Sequence, residues 1–330
     1  MSEIENDKPG FEPRIDLLPL SEKINKIRGE IGKKLVGQRA LVDLILTGIL
    51  ADGHLLIEGV PGVAKTYTAK LLARVMDVSF SRIQFTPDLM PSDVTGTNIF
   101  NTKLSEFEFK KGPIFGSVVL IDEINRAPAK TQAALFECME ERQVSLDGQT
   151  YIMDFPFIVL ATQNPIEHEG TYKLPEAQLD RFLFKIDVMY PSAEEEVAIL
   201  EGVSNQIITN KLDDIKPVLK KSELKKFRDL TQQVRIDKHL LTYIAQVVEN
   251  TRSNPNLYLG ASPRASIGIL NASKAHAAIN GRDFVTPDDI RTVTYPVLSH
   301  RVVLTPEREM EGLKTLDIIK EIIEQIEVPR

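Results

Sequence analysis

Apolar residues along this 330-residue chain follow two periods in turn. Up to about residue 190, short apolar runs alternate with stretches in which apolar residues return every three or four positions. Runs at 55–57, 80–85, 118–121 and 157–161 read as strands, the last two buried on both faces of a parallel sheet. Helical spacing covers 66–75 through Ala69, Leu71, Leu72 and Val75, and 130–143 through Ala134, Leu135, Cys138 and Met139. Two helices precede the first strand. One runs from Ser21, with Leu17, Ile24, Ile27, Ile31 and Leu35 marking its apolar side, and one covers 40–51. A short helix near 174–180 leads into a last strand ending at Ile186. Pieces at 97–100 and 106–110 flank a polar turn, and 143–146 and 150–154 flank Asp147-Gly148, whose φ > 0 tolerance suits a tight hairpin turn.

Beyond Tyr190-Pro191 the strand signal stops. Ser192-Ala193-Glu194-Glu195 is a capping box opening a helix to about residue 204. Further helices are predicted at 222–234, 238–250 and 262–280, and from the Thr286-Pro287-Asp288-Asp289 cap to 299. The fold expected is α/β, a parallel-sheet core sandwiched by helices over 20–190, with a smaller all-α domain over 191–330. Residues 1–19, charged and carrying Pro9, Pro13 and Pro19, read as a flexible arm.

Composition narrows this picture slightly. At about 150 residues per domain the length suits two domains, and 42% apolar residues suffice for a packed core. A net charge of −7 argues against a generally nucleic-acid-coating surface. The single cysteine, Cys138, allows no internal disulfide and reads as a small buried apolar residue. With no secretion signal and no uncharged run near about 18 residues, a soluble cytoplasmic protein is expected. His54, His168, His239, His276 and His300 show no metal-ligand spacing.

The chemistry starts at Gly59-Val60-Pro61-Gly62-Val63-Ala64-Lys65-Thr66-Tyr67. A strand, a Gly/Pro-rich turn and a helix start form the order a phosphate cradle needs. Amides at the turn and the helix N-terminus point at the anion, and Lys65 adds a full charge toward the β/γ-phosphates. The Thr66 hydroxyl is placed for Mg²⁺. Ala64 stands where the usual G-x-x-x-x-G-K-[ST] pattern has glycine. If that position needs φ > 0, alanine costs roughly 1–2 kcal/mol. Val36-Gly37-Gln38, in the loop ahead of the second helix, could hold an adenine.

Asp122 and Glu123 end the strand at 118–121, where ligands bind in open α/β sheets. Asp122 is assigned to Mg²⁺ and Glu123 to polarising the attacking water. Asn164 ends the next strand, held extended by Pro165, and is assigned to orienting that water; an Asn-Pro turn is the plainer reading. Arg181, taken alone, reads first as an ion-pair partner of Asp180 or Glu176. Arg264 sits at a helix N-terminus, against the helix dipole, and slightly favours a bound anion.

Assembled, these residues resemble the MoxR family of AAA+ ATPases over roughly 20–305. The resemblance rests on 59–66, where alanine before lysine is the family's own variant, and on the block from Asp122-Glu123-Ile124-Asn125-Arg126 through Gln143-Val144. Ala161-Thr162-Gln163-Asn164-Pro165, Glu176-Ala177-Gln178-Leu179-Asp180-Arg181-Phe182 and Gly260-Ala261-Ser262-Pro263-Arg264-Ala265 extend it. It implies a P-loop AAA+ core with a helical lid, ATP and Mg²⁺, and a homo-oligomeric ring, usually hexameric, with nucleotide between neighbours. It further implies Asn164 as sensor 1, Arg181 as an arginine finger reaching the adjacent subunit, Arg264 as sensor 2 and Val36-Gly37-Gln38 at the adenine. The hairpins near 97–110 and 143–154 would face the pore or partners. Relatives resemble chaperones that work with von Willebrand factor A-domain proteins in cofactor insertion or complex maturation. Two rival functions stay open from sequence: a DNA-dependent AAA+ motor using Lys103, Lys110 and Lys111, and a nucleotide-gated scaffold with little turnover.

Overall fold

The structure is a computed structural model that describes residues 15–60, 62–164, 171–205 and 212–328. Helices α1 (Leu18–Gly32) and α2 (Arg39–Leu50) lead into β1 (Leu55–Gly59), α3 (Lys65–Val75) and β2 (Phe80–Gln84). A one-turn helix α4 (Pro91–Thr95) precedes the hairpin of β3 (Gly96–Asn101) and β4 (Glu106–Lys111), after which β5 (Val118–Asp122) and α5 (Ala129–Glu141) follow. The second hairpin is β6 (Gln143–Leu146) and β7 (Gln149–Ile152). Then come β8 (Ile158–Gln163), the single turn α6 (Glu176–Leu179) and β9 (Phe184–Val188). The remainder is α7 (Ala193–Ser204), α8 (Lys221–Gln232), α9 (Lys238–Ser253), β10 (Leu257–Leu259), α10 (Pro263–Ile279), α11 (Pro287–Leu298), β11 (Val303–Leu304), α12 (Pro306–Met310) and α13 (Thr315–Gln325).

Five strands form one parallel sheet in the order β2-β5-β8-β1-β9. β5 is buried at every position and β8 at all but its last, as expected of strands covered on both faces. All C-terminal strand ends therefore open on one side, where β1, β5 and β8 deliver the P-loop, Asp122-Glu123 and Asn164.

Three details differ from the periodicity. The first helix opens at Leu18, inside the stretch read as an arm, because Leu17 and Leu20 are buried against the core; residues 1–14 lie outside the described residues. The region beyond residue 190 also carries strand, the antiparallel pair β10–β11, which is too short for a period to reveal. One buried cluster runs from Leu20 through Ile45 and Leu72 to Ile269 and Val293, so helices on both sides of residue 190 share a core.

Candidate active site

β1 is apolar through Ile57 and ends at Gly59, where the chain leaves the sheet. Gly62 has φ +88° and Ala64 φ +57°, so alanine occupies the left-handed region, with the penalty this carries for a Cβ. That turn brings Lys65 into the first residue of α3, one residue earlier than the spacing suggests. Its ammonium donates to the Gly59 carbonyl at 2.5 Å, which keeps it over the loop. Val60 and Thr66 are half-buried, Val63 is buried and Tyr67 is half-buried at the loop's side. Burial pushes the Tyr67 phenol up. Pro61 lies outside the described residues.

The Thr66 hydroxyl lies 3.4 Å from Asp122 Oδ2, across the gap between α3 and the end of β5. Arg82 Nε donates to the same oxygen at 2.6 Å, and the Thr162 hydroxyl donates to Oδ1 at 3.3 Å. Glu123 adopts φ +57°, a left-handed conformation that is uncommon outside glycine. Its N–H donates to Thr162 Oγ1 at 3.0 Å, while Gln84 Nε2 and Arg126 Nε hold its Oε2 at 2.9 and 3.0 Å. Arg82 and Gln84, two apart on β2, thus reach the consecutive carboxylates of the neighbouring strand. Asn164 is buried where β8 ends.

Gln38 Nε2 donates to the Val63 carbonyl at 3.0 Å, which ties Val36-Gly37-Gln38 to the P-loop. Gly37 has φ +77°, and a Cβ there would meet the Glu195 carboxylate, so the position requires glycine. A cavity of about 260 Å³ adjoins it, walled by Leu41, Val188, Tyr190 and Pro191.

Arg181 and Arg264 are elsewhere. Arg181 Nη1 donates to the Phe136 carbonyl at 2.9 Å and pairs with Glu140 at 3.2 Å; Arg264 Nη2 reaches the other oxygen of Glu140 at 2.6 Å. Glu140 lies in the last turn of α5, and the adjacent Met139 carbonyl meets His54 Nε2 at 3.1 Å, just before β1 begins. The two arginines therefore sit at the N-terminal edge of the sheet, and the P-loop leaves the opposite end of β1. Within one chain Arg264 thus lies away from its own P-loop. Neither Asp180 nor Glu176 takes Arg181: Asp180 is occupied by Arg301 at 2.7 Å and Ser262 at 2.9 Å.

Comparison with known proteins decides the family. The chain is 46% identical to YeaC of Bacillus subtilis, itself uncharacterized, over 95% of this chain and 96% of that one. It is 44% identical to the chaperone MoxR1 of Mycobacterium tuberculosis, covering 91% of this chain and 81% of the relative. The chain belongs to the MoxR family of AAA+ ATPases. MoxR of Methylorubrum extorquens is 30% identical over 91% of this chain and 93% of its own. The profile of the ATPase family associated with various cellular activities (AAA) matches 54–184, from just before β1 to the start of β9. The AAA lid domain matches 249–322. A crystal structure of a Cytophaga hutchinsonii protein, 43% identical, superposes with a TM-score of 0.88 over 95% of this chain and 97% of that chain. As a MoxR protein the chain is a nucleotide-binding, chaperone-like ATPase of a family that typically oligomerises. No described helix is long and apolar enough to cross a membrane.

Arg82, Gln84, Arg126 and Glu140 were not read from this MoxR sequence as part of the site. Arg82 and Gln84 reach it only through strand pairing, Gln84 being in register with Asp122, and Glu140 only through the packing of α5, whereas Arg126 is an i,i+3 neighbour of Glu123 along the chain.

Proposed function

We propose that this chain hydrolyses ATP in a homo-oligomeric ring, hexameric as its family resemblance implies, and couples turnover to remodelling a partner protein. The observation that carries the reading is the division of the site. Phosphate- and water-handling residues cluster at the C-terminal end of the sheet, and Arg181 and Arg264 share Glu140 at the other end. Copies stacked head to tail bring one chain's arginines to its neighbour's P-loop, the heterologous contact that closes into rings.

In this reading Gly59–Tyr67 cradles the phosphates, with the 62–66 amides and Lys65 facing the β- and γ-groups, and Val36-Gly37-Gln38 borders the adenine in the adjoining cavity. Thr66 and Asp122 fit a magnesium ion, since a hydroxyl and a carboxylate oxygen meet at one point and Mg²⁺ takes oxygen ligands. Bound there, the ion neutralises charge on the β- and γ-phosphates. Glu123 accepts a proton from water as its oxygen attacks the γ-phosphorus and the bond to the β-phosphate oxygen breaks; Asn164 orients that water. For this Glu123 must release Gln84 and Arg126. Arg181 and Arg264 stabilise the transition-state charge from the adjacent subunit.

Glu123→Gln should retain ATP affinity and lose turnover at least a hundredfold, measured by calorimetry and steady-state phosphate release; near-wild-type turnover would remove Glu123 as the base. Mixing Arg181→Ala with Glu123→Gln subunits should restore part of the activity, because some interfaces then pair an intact Glu123 with an intact Arg181. Co-assembly without recovery excludes a finger in trans.

The partner is proposed to be a protein with a von Willebrand factor A domain. The two hairpins form one unit, joined by Asn98 to Asp147 at 2.5 Å and by stacked Phe109 and Tyr151 at 4.0 Å. Their surface exposes Phe100, Leu104, Phe107 and Ile152. Lys111 is drawn over the Phe115 ring at 5.0 Å. An exposed apolar tip favours protein contact over a DNA backbone. Cytoplasmic location is proposed with it, in keeping with a single, buried cysteine, Cys138.

A further inference from the structure

Two parts of the chain far apart in sequence meet at one carboxylate, that of Glu140. Arg181 belongs to the junction between α6 and β9, and Arg264 to the first turn of α10. Arg264 Nη2 lies 2.6 Å from Glu140 Oε1 and Arg181 Nη1 lies 3.2 Å from Oε2, so each arginine takes one oxygen. Arg181 Nη1 also donates to the carbonyl of Phe136, one turn before Glu140 on α5. Ser262 Oγ accepts from the Arg264 N–H at 3.2 Å and donates to Asp180 at 2.9 Å, which fixes the start of α10 against the residue before Arg181. The two backbones are thus held together, and among the described residues Glu140 alone joins the two guanidiniums.

A carboxylate at this point acts on both arginines. Guanidiniums sharing one partner repel each other, and the negative charge between them offsets that repulsion. Arg264 also stands against the dipole of α10, whose first turn carries no acidic residue, and Glu140 supplies the missing negative charge. Glu140 does not saturate the pair. Nε and Nη2 of Arg181, and Nε and Nη1 of Arg264, have no acceptor among the described residues, and the side chains are 30% and 49% exposed. Two cations and one carboxylate leave a net positive charge. An anion arriving from outside the chain therefore finds free donors on both arginines without displacing Glu140.

We propose that Glu140 is a positioning residue that clamps Arg181 and Arg264 into one unit for the γ-phosphate of the adjacent subunit. This rests on the reading that the arginines act in trans. Held in advance, the two long side chains lose less conformational freedom on meeting the transferring phosphoryl group. The benefit falls on turnover at the neighbour's site, and the nucleotide affinity of the chain that carries Glu140 is untouched.

The test compares assembled wild type with Glu140→Gln, a change among exposed and half-buried groups that leaves the fold in place. The variant should assemble normally and, unassembled, bind ATP with unchanged affinity by calorimetry. In steady-state phosphate release its kcat should fall roughly tenfold while KM moves less than about twofold. On an Arg264→Ala background the same substitution should cost only about twofold, because one arginine is left to hold. In an equimolar mixture with Glu123→Gln subunits, about a quarter of the interfaces pair an intact Glu123 with an intact clamp. Activity should then exceed the mean of the separate preparations roughly fivefold. Wild-type kcat in the folded, assembled variant overturns the proposal, as do lost assembly, a tenfold loss that persists on the Arg264→Ala background, or a mixture that gives only the mean. The mixture of Arg181→Ala with Glu123→Gln subunits separates the two levels. If that mixture recovers activity, such a result removes Glu140 alone; if it does not, the trans reading falls and the role of Glu140 falls with it.

Discussion

At the scale of single residues, two side chains in the site accept an unfavourable backbone. Ala64 and Glu123 both lie near φ +57°, a conformation that costs a residue with a Cβ roughly 1–2 kcal/mol. Glycine at Ala64 would relieve that while freeing the unfolded chain, so the two effects largely cancel. His54 shows the opposite economy. Its Nδ1 accepts from the Val159 N–H at 3.0 Å, leaving Nε2 to donate to Met139, and burial lowers its pKa from 6.5 to about 3. Between those values the unfolded chain binds a proton that the folded chain does not. Stability therefore rises with pH through this window, is complete above about 6.5 and is lost as pH falls. At pH 5 the loss from this residue is about 2 kcal/mol. Urea unfolding at pH 7.5 and pH 5 should show wild type losing more than His54→Gln; equal losses would place the acid sensitivity elsewhere.

At the scale of elements, local chemistry explains the starts and stops well. The capping box at Ser192 and Glu195 forms as expected, with Glu195 N–H donating to Ser192 Oγ at 3.2 Å. Asp147-Gly148 turns the second hairpin with both residues at positive φ. What an element packs against is less legible: α7 is well capped, yet none of its residues is buried and Val197, Leu200 and Val203 are exposed. The first hairpin is similar, its Phe100 and Phe107 rings meeting edge to face at 5.3 Å on the surface. Phe107→Ser should leave stability within about 0.5 kcal/mol and basal turnover unchanged, while reducing recovery of the partner protein with the Glu123→Gln form. Undiminished recovery would remove the hairpin tip from the partner contact.

At the scale of the whole molecule, Arg301 joins the helical region to the sheet. It is 7% exposed. It donates to Asp180 Oδ1 at 2.7 Å and to the carbonyls of Asp180, Phe182, Leu183 and Val297 at 3.0, 2.6, 3.0 and 2.5 Å. Asp180 and Arg301 thereby position the neighbouring Arg181, although nothing in the sequence singles out Arg301. Arg301→Met removes a buried guanidinium, breaking its pair with the half-buried Asp180 and stripping four carbonyls of their donor, and should cost about 3–5 kcal/mol in chemical denaturation. Arg181→Ala, removing a partly exposed pair, should cost about 1 kcal/mol or less yet abolish assembled turnover. A reversal of that order would make Arg181 the structural residue.

The phosphate loop, the paired carboxylates and the strand–helix alternation were readable in order along the chain, because each is made by neighbours whose backbone preferences and periodicity are local. The P-loop glycines, Lys65 and the Asp122-Glu123 strand end needed no knowledge of what lies across the sheet. Only folding decided that Gln84 meets Glu123, that Glu140 gathers Arg181 and Arg264, and that those arginines face away from their own chain's P-loop. Those pairings join residues 39 to 124 positions apart; the first follows from the register of neighbouring strands and the others from how α5 and α10 pack against the sheet, and no sequence interval carries either.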